Sequence, residues 1–495
     1  MFFEPATEKG HWYTRMGREI MGFHQFLKWR IWLKGLAVIA LAVGLSLTIK
    51  LGGLVVALCL LLLPFLFALV VLVLEKPKIG LLISLHASFV VNGLGRYVTN
   101  IPFGLAIDIL LLLTALRAFS IASAEDWQRI PKGLLWVCLG WFGFTALEIL
   151  NPEAPGIVAW VYAIRSTSFQ MLLAIVLTAL LFKKPKEMNQ VIYLWFFWSV
   201  LACLYGMKQL YVGLNNAENA WLAAGAAKTH LLFGRLRVFS FYSDAASFGS
   251  SQAHAGLAAC ILAFRQSRVA KQLMYAVIAL ICFYGMIISG TRGALFVVII
   301  GFAAYLLLSN NIKVLIIGSL IGLTMLGLLK FTYVGNSNYQ INRMRTALDP
   351  NDPSLVVRLN NQKLLANYLS SRPLGGGIGC IGFWGERFNP NGFLGKIPTD
   401  SWYVRIWAET GIIGLYIYLS LMGYLIVAGF KKVWRVKAPE LQQSLMAFYA
   451  GMVGIIVASY GNELWAQLPI APLVYVSVAF VFQAQMMEQA NKIEG

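Results

Sequence analysis

Ile157-Val-Ala-Trp-Val-Tyr-Ala-Ile-Arg165-Ser-Thr-Ser-Phe-Gln-Met-Leu-Leu-Ala-Ile-Val-Leu-Thr-Ala-Leu-Leu-Phe182 is an apolar run whose only charged side chain is Arg165. A helix needs about 20 predominantly apolar residues to cross bilayer hydrocarbon. A span must also satisfy its own backbone hydrogen bonds, which a helix does. Working outward, comparable runs recur at about 35–49, 51–74, 79–93, 101–117, 132–150, 190–212, 247–264, 272–289, 293–309, 314–332, 401–429, 440–460 and 468–488. This predicts an all-α polytopic membrane protein, a bundle of about 12–14 transmembrane helices with a long outer loop containing short helices.

The bulk composition agrees. Of 495 residues, 59% are hydrophobic and 12% charged, with a mean hydropathy of +0.70. Soluble domains carry about 25% charged residues, so a soluble enzyme, a disordered chain and a nucleic-acid-binding domain are poor readings. The net charge of +19 is then assigned to inner loops and anionic ligands rather than to nucleic acid. Five of the six cysteines lie in apolar runs and Cys380 stands in a polar loop, which predicts no disulfide framework. No secretory signal segment is recognisable in the basic start of the chain, so no cleavage is expected.

Positive residues set the orientation. With Lys9, Arg15, Arg18, Lys28, Arg30 and Lys34 inside, alternate loops carry Lys76/Lys78, Arg129/Lys132, Lys183/Lys184/Lys186, Arg265/Arg268/Lys271, Lys313 and Lys431/Lys432/Arg435/Lys437. That is the positive-inside pattern repeated. The chain divides into a cytoplasmic basic segment 1–34, a bundle 35–332 with an outer loop at about 213–246, a long outer loop 333–400, carboxy-terminal helices 401–488 and a cytoplasmic tail 489–495. Inner segments favour Lys and outer segments favour Arg. The planar guanidinium fork matches phosphate and carboxylate, so an outward-facing anionic ligand is expected.

Four constellations carry that chemistry. Arg165 is read either as an interfacial residue or as the lining of a polar cavity, since intramembrane charges usually face water or a partner. Arg235 and Arg237, two apart in an extended stretch, project to one side and either grip a diphosphate together or are basic residues of an outer interface. Arg292, in Ser289-Gly-Thr-Arg292-Gly, opens a helix, where an anion is favoured by unpaired N–H groups, and is read either at an anionic ligand or as a snorkelling residue of a turn. Asp400 and Ser401 start a long helix, as N-caps or with Asp400 as a general base. Arg405 and Glu409 share a helix face, either as a structural ion pair or at a substrate. Trp402 and Tyr403 would stack on sugar rings or form an interfacial belt. In the long loop, Asp352-Pro353 predicts a helix start, and Gly375, Gly376, Gly377 and Gly379 permit close approach of a ligand. No metal site or cofactor is expected.

In their order, Arg237-Val-Phe-Ser-Phe-Tyr-Ser-Asp244, Ser289-Gly-Thr-Arg-Gly-Ala-Leu295, Arg358 with the run to Arg372-Pro-Leu-Gly-Gly-Gly-Ile-Gly379, and Thr399-Asp-Ser-Trp-Tyr-Val-Arg-Ile-Trp-Ala-Glu-Thr-Gly-Ile-Ile-Gly414 resemble the O-antigen ligase and O-antigen polymerase superfamily of GT-C-type membrane glycosyltransferases. The resemblance covers roughly residues 230–430. It implies an inner-membrane enzyme with a periplasmic active site. Its substrate would be an undecaprenyl-diphosphate-linked oligosaccharide and its acceptor a glycan or the lipid A core. Other polysaccharide-assembly membrane proteins would be partners.

By the same resemblance, Arg165, Arg237, Arg292 and Arg358 would neutralise the diphosphate leaving group without a metal. Asp400 would take the acceptor proton, and Arg235, Arg405, Glu409, Trp402 and Tyr403 would contact substrate. Many ligases have a His-Asn pair where this chain has Asp400-Ser401, which moves the reading toward a polymerase with a ligase as the alternative. An organic-anion transporter is the competing reading of another class.

Overall fold

The computed structural model describes Leu36, Gly44, Ser46 and residues 61–98, 102–232, 234–264, 266, 268–309, 311–333, 339–345, 353–399 and 401–494. Asp400 and Asp352, the basic segment 1–34 and most of the first expected span lie outside the described residues. The chain forms two compact units, Met1–Leu72 and Val73–Gly495. In the first, residues 61–72 are helical. The second holds the helices described below.

It is an all-α polytopic membrane protein. Among the described residues, eight helices are long and apolar enough to span a bilayer: Pro77–Leu94, Gly104–Ile121, Lys132–Leu150, Ile157–Leu181, Pro185–Tyr211, Val269–Ile288, Trp402–Trp434 and Pro439–Ala458. The bent pair Ile470–Phe482 and Ala484–Ala490 makes a ninth, and Gly293–Leu308 and Ile312–Leu328 are shorter apolar helices. Large side chains such as Leu116, Leu147, Leu280, Leu320 and Leu323 stand exposed on their outer faces, where lipid rather than water is the compatible neighbour.

The core is built from Trp, Tyr, Phe and aliphatic side chains such as Trp141, Trp195, Tyr418 and Phe248, but one of its helices is small and polar. Ala245–Ala263 contains Ser247, Ser250, Ser251, Gln252 and His254, all buried. It packs against Val269–Ile288, Gly293–Leu308 and Pro439–Ala458. Neighbouring protein shields those polar groups from lipid, which is why a weakly hydrophobic sequence is helical there. Small residues let helices approach closely, as is usual where lipid and core are equally apolar. A Cβ at Gly301 would sit 2.6 Å from the Ala450 carbonyl oxygen, and one at Gly454 would sit 2.5 Å from that of Val297.

Two breaks in regular geometry shape the region of interest. The 157–181 span contains a π-helical turn over Arg165–Phe169, the kind of bulge often found at functional positions. The 402–434 helix is interrupted at Gly411, whose φ is 64°. A Cβ at Gly411 would strike the Pro373 carbonyl, and Gly376 N–H donates to the Ala408 carbonyl at 2.8 Å. Gly375, with φ of 75°, lies so close that its Cβ would sit 2.7 Å from the Ala408 carbonyl oxygen. In place of a ligand cradle, Gly375 and Gly376 dock the long loop on the 402–434 helix, and Gly377 and Gly379 bring it onto the backbone of Ala154 and Ala159. Cys380 is likewise buried rather than set in a polar environment.

Candidate functional site

Four turns meet near the starts of the 245–263, 293–308 and 402–434 helices. A short antiparallel hairpin pairs Leu232 with Arg235, and Arg237 N–H closes on the His230 carbonyl at 2.8 Å. The chain then runs through Ser240, a non-glycine residue with φ of 51°, to Asp244, whose carboxylate caps the 245–263 helix by accepting from Ser247 N–H at 2.8 Å. Arg96 clamps this segment. Its guanidinium donates to the carbonyls of Ser240, at 2.6 Å, and Tyr242, and lies over the rings of Trp221 and Phe239.

Arg237 extends from the hairpin to the turn before the 293–308 helix, donating to Thr291 Oγ1 at 3.2 Å and to the Thr229 carbonyl at 2.9 Å. Thr291 Oγ1 in turn donates to the Ala245 carbonyl at 2.8 Å, so the two helix starts are tied together. Arg343, on the helix Tyr339–Arg345, lies beside Gly290: its Cδ is 3.3 Å and Arg237 Cγ 3.9 Å from where a Gly290 Cβ would be. Arg343 donates to the Tyr339 hydroxyl at 3.0 Å, and Arg235 lies over the Tyr339 ring. Burial holds the Arg237 guanidinium down at about 10, with Arg343 and Arg292 as neighbouring cations and Asp244 as the opposing charge. A half-buried group of guanidinium ions favours an anion among them.

Arg292 precedes Gly293, where a Cβ would strike the Asn462 side chain. Asn462 belongs to the same turn as Gly461, near which Arg358 Nη1 lies, 3.8 Å from a Gly461 Cβ. The expected helix in the long loop is present as Pro353–Leu369 and carries Arg358. Arg237, Arg292, Arg343 and Arg358 therefore border adjoining turns.

Arg405 and Glu409 have a different place. Arg405 donates to Glu409 at 3.1 Å and to Glu463 at 3.0 Å, and Glu409 also accepts from Gly379 N–H at 3.1 Å. Both residues are buried. Of the two readings of this pair, the ion pair is present, in a network joining the 402–434 helix, the glycine loop and the 459–463 turn. Trp402 is fully buried and donates to the Tyr418 hydroxyl at 2.7 Å, while Tyr403 donates to the Ile456 carbonyl at 2.7 Å. Trp402 is thus enclosed by protein, whereas Tyr403 packs against the core on one side and stays partly exposed. Ser401 caps the helix, accepting from Val404 N–H at 3.4 Å.

Arg165 has a partner within the protein. It pairs with Asp108 at 2.5 Å, and Gln170 donates to the other Asp108 oxygen at 2.6 Å. A carboxylate on the 104–121 helix thus answers the intramembrane charge. Asp108, Arg96, Arg343 and Glu463 were not singled out in the sequence. The signal for Asp108 was a second intramembrane charge in the run at 101–117. Among the described residues, no three His, Cys, Asp or Glu side chains gather as a metal cage.

Residues 277–419 match the O-antigen ligase family model. The chain is also 29% identical over 197 residues to an O-antigen polymerase from Salmonella muenchen, a match that covers 39% of this chain and 47% of the relative. Both comparisons support the O-antigen ligase and polymerase superfamily. The chain spans about half the length of that relative. The family match includes Arg292, Arg343 and Arg358 of the cluster.

Proposed function

We propose that the protein transfers a glycan from undecaprenyl diphosphate to an acceptor sugar hydroxyl at the periplasmic face of the bacterial inner membrane, extending a polysaccharide, with both termini cytoplasmic. The observation that carries this reading is the convergence of Arg237, Arg292 and Arg343 on the Thr291 turn.

In the reaction the acceptor oxygen attacks the anomeric carbon, a new glycosidic bond forms, and the bond from that carbon to the diphosphate oxygen breaks. The electron pair leaves with the lipid diphosphate. Negative charge grows on that oxygen in the transition state, so guanidinium groups already in place favour it over the ground state. Arg237, Arg292, Arg343 and Arg358 would serve there, and Asp400 would accept the acceptor proton. Arg235, exposed beside Tyr339, would contact the glycan at the edge of the cluster.

Polymerisation is favoured over ligation by the Asp400-Ser401 pair and by the similarity to a polymerase. Ligation to lipid A core is the second reading, favoured by the family match, whose description is O-antigen ligase. Purified protein given a lipid-diphosphate-linked repeat unit, with and without lipid A core, separates them. Lengthened glycan without core supports polymerase, product only with core supports ligase, and no covalent product overturns glycosyl transfer.

A further inference from the structure

A cavity of about 290 Å³ lies beside the same turn, lined among others by Asn92, Gly95, Arg96, Gly104, Trp221 and Ser243. The segment from Arg237 to Asp244 thus has the arginine cluster at its start and this cavity at its end. The volume is near the lower limit of about 300–1,000 Å³ for small-molecule sites, suited to a sugar ring or two rather than to a lipid tail.

The lining is mixed, with polar groups from Asn92, Arg96 and Ser243. Arg96 uses two of its five N–H donors on the Ser240 and Tyr242 carbonyls, and Glu218 and Asp244 are carboxylates close enough to support its charge. Gly104 lets the Arg165 guanidinium approach the wall, 3.6 Å from where a Gly104 Cβ would be, and Asp108 already neutralises that cation. Asn92 donates to the Leu468 carbonyl at 3.2 Å, which leaves its amide oxygen to accept. Ser243 donates to Asp244 at 2.9 Å and its hydroxyl oxygen can accept as well. Val91 and Phe103 supply the apolar wall, beside Trp221, whose ring carries the Arg96 guanidinium. Donors and acceptors mixed around an apolar face match the hydroxyls and C–H faces of a saccharide.

We propose that this cavity is a saccharide subsite, holding a sugar of the glycan while the arginine cluster holds the diphosphate. The proposal rests on the glycosyl-transfer reading for its place in the reaction, but saccharide binding is testable without it.

Gly95 provides the test. Its backbone is right-handed helical, with φ of −59°, and a Cβ there would meet only the Asn92 and Val91 carbonyls, at 3.6 and 3.7 Å. A larger side chain therefore fills the cavity without backbone strain. The probe is the oligosaccharide released by mild acid from the host's lipid-linked repeat unit, with binding to purified full-length protein followed by saturation-transfer NMR.

Wild type and Gly95→Ala should bind it, while Gly95→Leu should bind at least tenfold more weakly with an unchanged unfolding temperature. KM for lipid-linked donor should rise by a similar factor. Asn92→Leu, which keeps the size and removes the acceptor, should show the same loss and serves if Gly95→Leu does not fold. Inorganic pyrophosphate should not displace the oligosaccharide. Wild-type binding in both variants, or displacement by pyrophosphate, would overturn the subsite. Oligosaccharide binding lost in the variants, in a protein with no transferase activity, would support the subsite and overturn only the reaction; transfer with unchanged KM in both variants would do the reverse.

Discussion

Arg405 and Glu463, 58 residues apart in sequence, meet at 3.0 Å and join the long helix at 402–434 to the turn bordered by Arg358 and Arg292. Glu409 completes the buried group on the other side of Arg405 and ties in Gly379. Removing one member of a buried ion group strands the others, at a cost of about 3–5 kcal/mol. Arg405→Met should therefore lower the unfolding temperature in detergent sharply, and Glu463→Gln less so because Glu409 remains to answer Arg405. An Arg405→Met protein as stable as wild type would refute the structural assignment.

The Arg165–Asp108 pair is expected to behave as a unit. Arg165→Met alone leaves Asp108 without its cation and should cost about 3–5 kcal/mol. The double variant Arg165→Met/Asp108→Leu should recover most of that stability, because both desolvated charges are gone, and it should retain glycan transfer. Thermal unfolding of the two single variants and the double variant completes the cycle, and additive losses would contradict the pairing.

Arg237 is where chemistry rather than folding should suffer. Its Nη2 and Nη1 bond only to Thr291 Oγ1 and the Thr229 carbonyl among the contacts described, so its removal strands no carboxylate at ion-pair distance. Loss of one preorganised donor to a developing anion costs about 10²–10³ in kcat. Arg237→Ala should show a loss of that size at an unchanged unfolding temperature, and Arg237→Lys an intermediate one because the point charge survives without the fork. Turnover with purified lipid-linked donor measures it; wild-type kcat in Arg237→Ala would remove this residue from the mechanism.

His230 gives the site an acid limit. Its Nδ1 lies 2.9 Å from the Ala226 carbonyl and its Nε2 3.2 Å from Ala245 N–H, a pattern that assigns the proton to Nδ1 of the neutral ring. Burial holds its pKa below the ordinary 6.5, with Asp244 opposing and Arg237 and Arg96 adding to the shift. Because the folded value is depressed, the neutral ring's contribution is complete above pH 6.5 and is lost as pH falls from there through the folded value. Acidification should cost the Ala245 bond at the start of the 245–263 helix. Transfer should fall below pH 6.5 in wild type and lose this dependence in His230→Gln; identical pH profiles would exclude His230 as the cause.

Gly411→Ala tests the docking of the long loop. The Gly411 φ of 64° with ψ of −166° is a backbone conformation essentially confined to glycine, costing another residue about 1–3 kcal/mol, and the Pro373 carbonyl occupies the place of a Cβ. The variant should be destabilised and more readily cleaved by protease within 370–399, while Gly423→Ala, in the same helix with open space around it, should be neutral.

The membrane-spanning helices and their order were legible from the one-dimensional pattern, because each is defined by a local length of apolar residues. The helix at 353–369 was legible from Pro353 for the same reason. The polar 245–263 helix was also marked, though only the surrounding protein explains how its serines avoid lipid. By itself the sequence therefore determined a polytopic helical bundle with an arginine-rich set of motifs. Which arginines lie together was decided only in three dimensions: Arg165 pairs with Asp108 and Arg405 with Glu409 and Glu463, whereas Arg237 is gathered with Arg292 and Arg343 at one turn. Coulomb energy depends on distance through space, and in a helical bundle that distance is set by which helices pack together, not by separation along the chain.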